Sequence, residues 1–158
     1  MKETYQVDTL DFYAKWHYIY DKCHKMTIQV LLESEPIYQR TDLIQIARRG
    51  IQTKYIEQIQ EFTSLSDKEL SSILPISQRQ LFRYPADHNL NKEITSHLIQ
   101  IIALFQKGFK LFGEDKFKIW IRTSNKVLSN KPIEIMDTSI GIEMIEDVIG
   151  RIEHGVYS

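Results

Sequence analysis

The chain has a single cysteine, Cys23, among its 158 residues. One thiol forms no internal disulfide, so a reducing compartment is the default and the cytoplasm is the expected location. No apolar run reaches the roughly 18 residues that would suggest a membrane-spanning helix. The opening MKETYQVDTLDFYAKW is too polar for a secretory signal. Glycine (6) and proline (4) are scarce, and no low-complexity linker or fixed-period repeat is present. The formal net charge is −1. There is thus no global basic field for gripping nucleic acid, and any such contact has to come from a local patch.

Catalytic signatures are missing as well. GxSxG, the P-loop, GxGxxG and HExxH do not occur. The histidines are His17, His24, His88, His97 and His154, and no two have the i, i+4 spacing of a helical metal site. Neither a metal nor a cofactor is expected, and the chain does not read as an enzyme. Cys23 adjoins His24 in sequence, which does not by itself give nucleophile–base geometry. Glu146 and Asp147 are neighbours that point apart on a helix and make no acid/base pair. His97, inside a long helical stretch, reads as a surface or half-buried side chain.

What is present is an ordinary soluble composition, 42% hydrophobic and 26% charged. A chain of this length buries roughly 68–70% of its unfolded surface and needs no staple to fold. Residues 1–40 are the least readable. Leu10, Tyr13, Ala14 and His17 suggest a helix over 9–20, and Met26–Leu32 fits a short strand or a helix, its β-branched residues leaning to strand. Beyond residue 41 nearly everything is helical. Thr41 is placed to cap DLIQIARR, with Gly50 at its C-terminal end. A helix follows from about Thr53, with Tyr55, Ile56, Ile59 and Phe62 on one face. Ser66 and Glu69 form a capping box before DKELSSIL. After Leu74-Pro75-Ile76, Ser77 starts QRQLFRY, which stops before Pro85. The longest helix spans about 91–112, with Ile94, Leu98, Ile101, Ile102, Phe105, Phe109 and Phe112 in a stripe and Gly113 closing it. Another helix covers 115–122, a loop follows with Asn130 at a left-handed position, and Pro132 suits a first turn. The last helix starts near Ser139 and buries Ile142, Ile145, Val148, Ile149 and Ile152.

Residues 66–84 have the shape of a helix-turn-helix: a short helix, a tight turn and a second short helix. The second helix offers Ser77, Gln78, Arg79, Gln80 and Arg83, residue types that read base edges or hold phosphates. On pattern alone the same residues also fit a solvated surface. Pro75 departs from the glycine frequent in such turns. Arg40, Arg48, Arg49 and Lys54 stand against only Asp42 and Glu57, a basic patch beside the motif. From Lys131 onward the sign reverses: two basic residues against six acidic give −4. Two surfaces of opposite charge suggest two different partners.

The segment LFGEDKFKIWIRTSNKVLSNKPIEIMDTSIGIEMIEDVIGRIEHGVYS resembles the C-terminal toxin-binding domain of the MbcA/ParS/Xre antitoxin family. The ending GRIEHGVYS is its most specific piece. Phe112, Gly113, Glu114 and Trp120 fit one motif, and Asn125, Leu128, Pro132, Met136, Asp137 and Thr138 fit a second. Residues 41–110 are similar to that family's Xre-like helix-turn-helix region, and residues 1–40 match nothing. Ser124 stands where proline is common and Asn130 where glycine is common.

The resemblance implies an all-α fold: a 1–40 extension, an Xre-like helix-turn-helix bundle with a dimerisation region over 41–112, and a small helical toxin-binding domain over 113–158. It implies an antitoxin that binds a cognate RES-domain toxin, an NAD-consuming or ADP-ribosylating enzyme, and blocks its active site with the C-terminal region. Arg151, Glu153, His154, Gly155, Val156, Tyr157 and Ser158 are the expected toxin-binding residues, with Tyr157 as the aromatic anchor. Ser77, Gln78, Arg79, Gln80 and Arg83 are the expected DNA contacts, in a homodimer that represses its own operon. The alternative is a stand-alone helix-turn-helix repressor, which the absence of a neighbouring toxin gene would favour.

Overall fold

Apolar residues at three- and four-residue spacing, punctuated by side-chain caps, become helices that stop where the caps and glycines dictate. The computed structural model describes residues 40–155. In order these are α1 (Arg40–Arg49), the 3-10 turn η1 (Thr53–Tyr55), α2 (Ile56–Thr63), α3 (Asp67–Ile73), α4 (Gln78–Leu81), α5 (Lys92–Phe112), α6 (Glu114–Trp120), the 3-10 turn η2 (Pro132–Ile135) and α7 (Ser139–Glu153). Among the described residues no strand forms; two isolated bridges join Gln52 to Asn89 and Asn125 to Asn130. The expected helix over 9–20, the Met26–Leu32 segment, Cys23 and the tail residues Val156, Tyr157 and Ser158 lie outside the described residues.

The caps are real hydrogen bonds. Ser66 Oγ accepts the Glu69 N–H at 3.3 Å while Glu69 Oε2 accepts the Ser66 N–H at 2.9 Å, completing the capping box. Asn91 Oδ1 accepts the Ile94 N–H at 2.9 Å to open α5. Thr138 Oγ1 accepts the Gly141 N–H at 3.0 Å to open α7. Each such cap is worth typically about 1 kcal/mol.

α5 is the axis of the molecule. It packs against α1, α2, α6 and α7, and the stripe expected on one side is instead a nearly all-round burial. Ile101, Ile102, Leu104 and Phe105 are all fully buried. Gly108 lets α6 approach: a Cβ there would run into the Phe117 ring. Phe105, Phe109 and Phe117 meet edge to face with centroids 5.4–5.8 Å apart, the arrangement favoured by ring quadrupoles.

Several details depart from the sequence reading. His97 is buried, not at the surface, and its Nε2 donates to the Met136 carbonyl at 2.8 Å, satisfying a polar ring inside the core. α1 begins at Arg40, so Thr41 lies within its first turn. The left-handed residue of the 123–131 loop is Ser129, with φ 54°. Asn130 is occupied in the bridge, its carbonyl accepting the Asn125 N–H at 3.0 Å. α4 ends at Leu81 rather than running to Tyr84. Tyr84 precedes Pro85, whose ring disfavours helical backbone in the residue before it.

Candidate functional site

α3 and α4 form the helix pair. The only large anchor of α4 is Leu81, fully buried. Ser77 caps it, accepting the Gln80 N–H at 3.3 Å and donating its hydroxyl to Gln80 Oε1 at 2.8 Å. Gln80 is therefore partly committed to holding the helix start. Gln78, Arg79 and Arg83 are exposed, so the expected DNA contacts do lie together on an open surface. Behind it, η1 is stitched to the loop after α4. Thr53 and Lys54 donate their N–H groups to His88 and Ala86 at 2.9 Å. This ties Lys54 of the basic patch to the loop that follows the second helix. Tyr84 stacks on His88 in the same loop, with centroids 3.9 Å apart. Gly50, at φ 87°, and the buried Thr95 hydroxyl complete the support: Thr95 Oγ1 accepts the Ile51 N–H and donates to the Leu90 carbonyl, both at 3.2 Å.

A contact that the sequence did not announce joins the helix pair to the C-terminal half. Arg122, just past α6, donates to Glu69 Oε1 at 2.8 Å and Oε2 at 3.1 Å. It also donates to the Ser64 carbonyl at 2.9 Å and the Lys118 carbonyl at 2.8 Å. The Arg122 guanidinium, helped by the Ser66 N–H and hydroxyl and opposed by burial, lowers the Glu69 carboxyl from 4.5 to about 2. The partners are 53 residues apart, and no local periodicity marks such a pair. η2 also packs on α3, so the first helix of the pair touches the C-terminal half at two places.

In that half the motif residues turn out to be structural. Gly113, at φ 82°, is both the end of α5 and the start of α6. Trp120 stacks on Phe112 and Phe117, with centroids 5.2 and 5.7 Å away. Asn125 Oδ1 accepts the N–H groups of Val127 and Leu128 at 2.9 and 3.2 Å, tying the loop. Leu128, Pro132 and Met136 are buried. Gly141 seats α7 so closely on η2 that a Cβ would collide with the Ile135 carbonyl.

α7 buries Ile142, Ile145, Val148 and Ile149, while Ile152 is half-buried. Its open side carries Ile140 and Met144, one turn apart and 71% and 45% exposed. The sequence reading passed over both, although their spacing sets them off the buried face. Arg151, Glu153 and His154 are exposed. His154 donates its N–H to the Gly150 carbonyl and Gly155, at φ 69°, to Ile152, which ends the helix. The remaining expected toxin contacts, Val156 to Ser158, follow that turn. Among the described residues no cluster of His, Cys, Asp or Glu is arranged to hold a metal, and no helix is long and apolar enough to cross a membrane.

Residues 42–103 match the family model described as the antitoxin Xre-like helix-turn-helix domain. Residues 107–155 match that of the antitoxin Xre/MbcA/ParS C-terminal toxin-binding domain. A curated relative named Antitoxin Xre, from Yersinia enterocolitica serotype O:8 / biotype 1B, is 28% identical over 127 residues, covering 78% of this chain and 86% of the relative. An exposed helix pair backed by a second helical domain of this kind defines a helix-turn-helix antitoxin, one half of a toxin–antitoxin pair. The chain belongs to the Xre/MbcA/ParS antitoxin family.

Proposed function

We propose that the chain silences a RES-type toxin, an NAD-consuming or ADP-ribosylating enzyme, by filling its active site with residues 151–158, and that as a homodimer it represses its own operon through α4. The observation that carries the inhibitory part is the end of α7. The helix is anchored by its buried face, and its last turn presents Arg151, Glu153 and His154 to solvent before the helix ends at Gly155, φ 69°. A tail leaving a fixed helix suits insertion into a concave pocket, and a nucleotide pocket accepts aromatic and carboxylate groups. Ile140 and Met144, exposed on the same helix, extend the apolar contact toward the toxin surface.

The test is deletion of 154–158. The variant is expected to melt like the full chain and to leave the toxin active when mixed with it, measured as NAD consumption. Full silencing by a folded, truncated chain would sink the plug. Tyr157→Ala alone is expected to weaken the complex by roughly 30- to 1000-fold, the range of a buried aromatic anchor worth about 2–4 kcal/mol.

A further inference from the structure

Phe82 is a large apolar side chain left open on the helix pair. It is 47% exposed, next to the fully buried Leu81. The helical turn continues through it: its backbone is αR at φ −84°, ψ −1°, and its N–H donates to the Gln78 and Gln80 carbonyls. The Arg83 N–H likewise reaches back to the Gln80 carbonyl at 3.1 Å. Leu81 faces inward, fully buried, while Arg79 on the helix and Phe82 and Arg83 on the turn that ends it are all exposed. An aromatic ring thus lies within a cationic outward face.

We infer that Phe82 is a specificity-determining residue that reads a thymine by packing on its C5-methyl group in the major groove. The inference rests on α4 being the DNA-reading helix of the proposed repressor. One observation and one general property of such dimers favour a base over a second copy of the chain as the occupant. The flanking arginines complement phosphate, not another cationic helix. Recognition helices of a helix-turn-helix dimer also stand roughly 34 Å apart, so an outward residue on one does not meet its counterpart. Of the features on the major-groove floor, the thymine methyl is the apolar one, and phenylalanine is among the side chains that contact it.

The probe is the double-stranded DNA immediately upstream of the chain's own coding region, made once with thymine and once with uracil throughout. The two differ only in C5-methyl groups. The wild-type chain is expected to bind the thymine probe about fourfold tighter for each methyl group buried, equivalent to about 0.8 kcal/mol at 1.4 kcal/mol per tenfold. In Phe82→Ala the two affinities become equal. Phe82→Leu, which keeps an apolar side chain, retains most of the preference and shows that the loss is not misfolding. Equal binding of the two probes by the wild-type chain, or an undiminished preference in Phe82→Ala, overturns the assignment of Phe82 and leaves the repressor reading standing. A wild-type chain that binds neither probe above random DNA overturns both.

Discussion

α4 and α7 are the two helices that carry the candidate contacts, and they are held in opposite ways. α4 has four residues and one buried side chain, and it leans on α3. α7 has fifteen residues, four large buried side chains and a glycine pressed against the η2 backbone, and it packs along α5. The energetics differ accordingly. Opening α4 exposes one leucine and a few hydrogen bonds, whereas displacing α7 uncovers much of the core, so the two lie at different levels of local stability. On the proposed function, a lightly held α4 could adapt to a DNA groove, while α7 would be fixed before any partner arrives. A preorganised arm loses less freedom on binding, which favours affinity.

The comparison is tested most severely by removing the anchors. Ile145→Ala, at a fully buried position on α7, is expected to cost about 2–5 kcal/mol and to lower the global melting transition. Leu81→Ala creates a cavity of the same class, but its damage should stay within α4: operator binding is lost while toxin inhibition persists. Hydrogen exchange of α5 amides separates the cases, because only Ile145→Ala should speed it. If Leu81→Ala weakens toxin inhibition as much as operator binding, the two regions are not separately held.

A smaller effect is expected at the junction. Arg122→Ala removes four hydrogen bonds, two of them to a carboxylate, and should lower stability by about 1–2 kcal/mol, above the usual exposed pair because four of the five guanidinium N–H groups are engaged. Glu69 adds a pH signature. Its folded carboxyl titrates near 2 instead of 4.5, so its contribution is complete above about pH 4.5 and is lost as pH falls toward 2. Solvent screening at a partly exposed pair keeps that contribution on the order of 1 kcal/mol. Urea unfolding of the wild-type chain should therefore weaken between pH 5 and 3 more steeply than that of Arg122→Ala; equal slopes would mean that Arg122 does not hold the charge.

The smallest effect on the fold belongs to the exposed arginines. Arg79→Ala and Arg83→Ala should each change stability by less than about 0.5 kcal/mol. Each should also reduce the salt slope of operator binding by about one if the side chain meets a phosphate. An unchanged slope in both would remove α4 as the electrostatic contact.

Much of this architecture was legible because it is written in local chemistry. Ser66, Asn91, Gly50 and Gly113 mark helix ends with atoms one turn away, and the apolar spacing of α7 is visible in its own fifteen residues. What escaped is non-local. Ile99 and Leu104 lie off the α5 stripe and are buried only because helices close on several sides. His97 is internal because a carbonyl 39 residues away accepts its proton. Arg122 and Glu69 are ordinary charged residues until the chain folds them together. The exposed side of α4 was readable as a set of residue types, but Phe82 was not singled out, since an aromatic in a short helix is ordinarily core.

The position of α5 carries a consequence for how such a chain changes over time. The helix-turn-helix match ends at residue 103 and the toxin-binding match begins at 107, both inside this one helix. A crossover joining the front of one such gene to the back of another would cut through the helix whose sides both parts cover. The hybrid would inherit two half-interfaces shaped for different neighbours. Exchange of whole modules is therefore disfavoured, and change in either part is left to point substitution on the open helix faces away from α5.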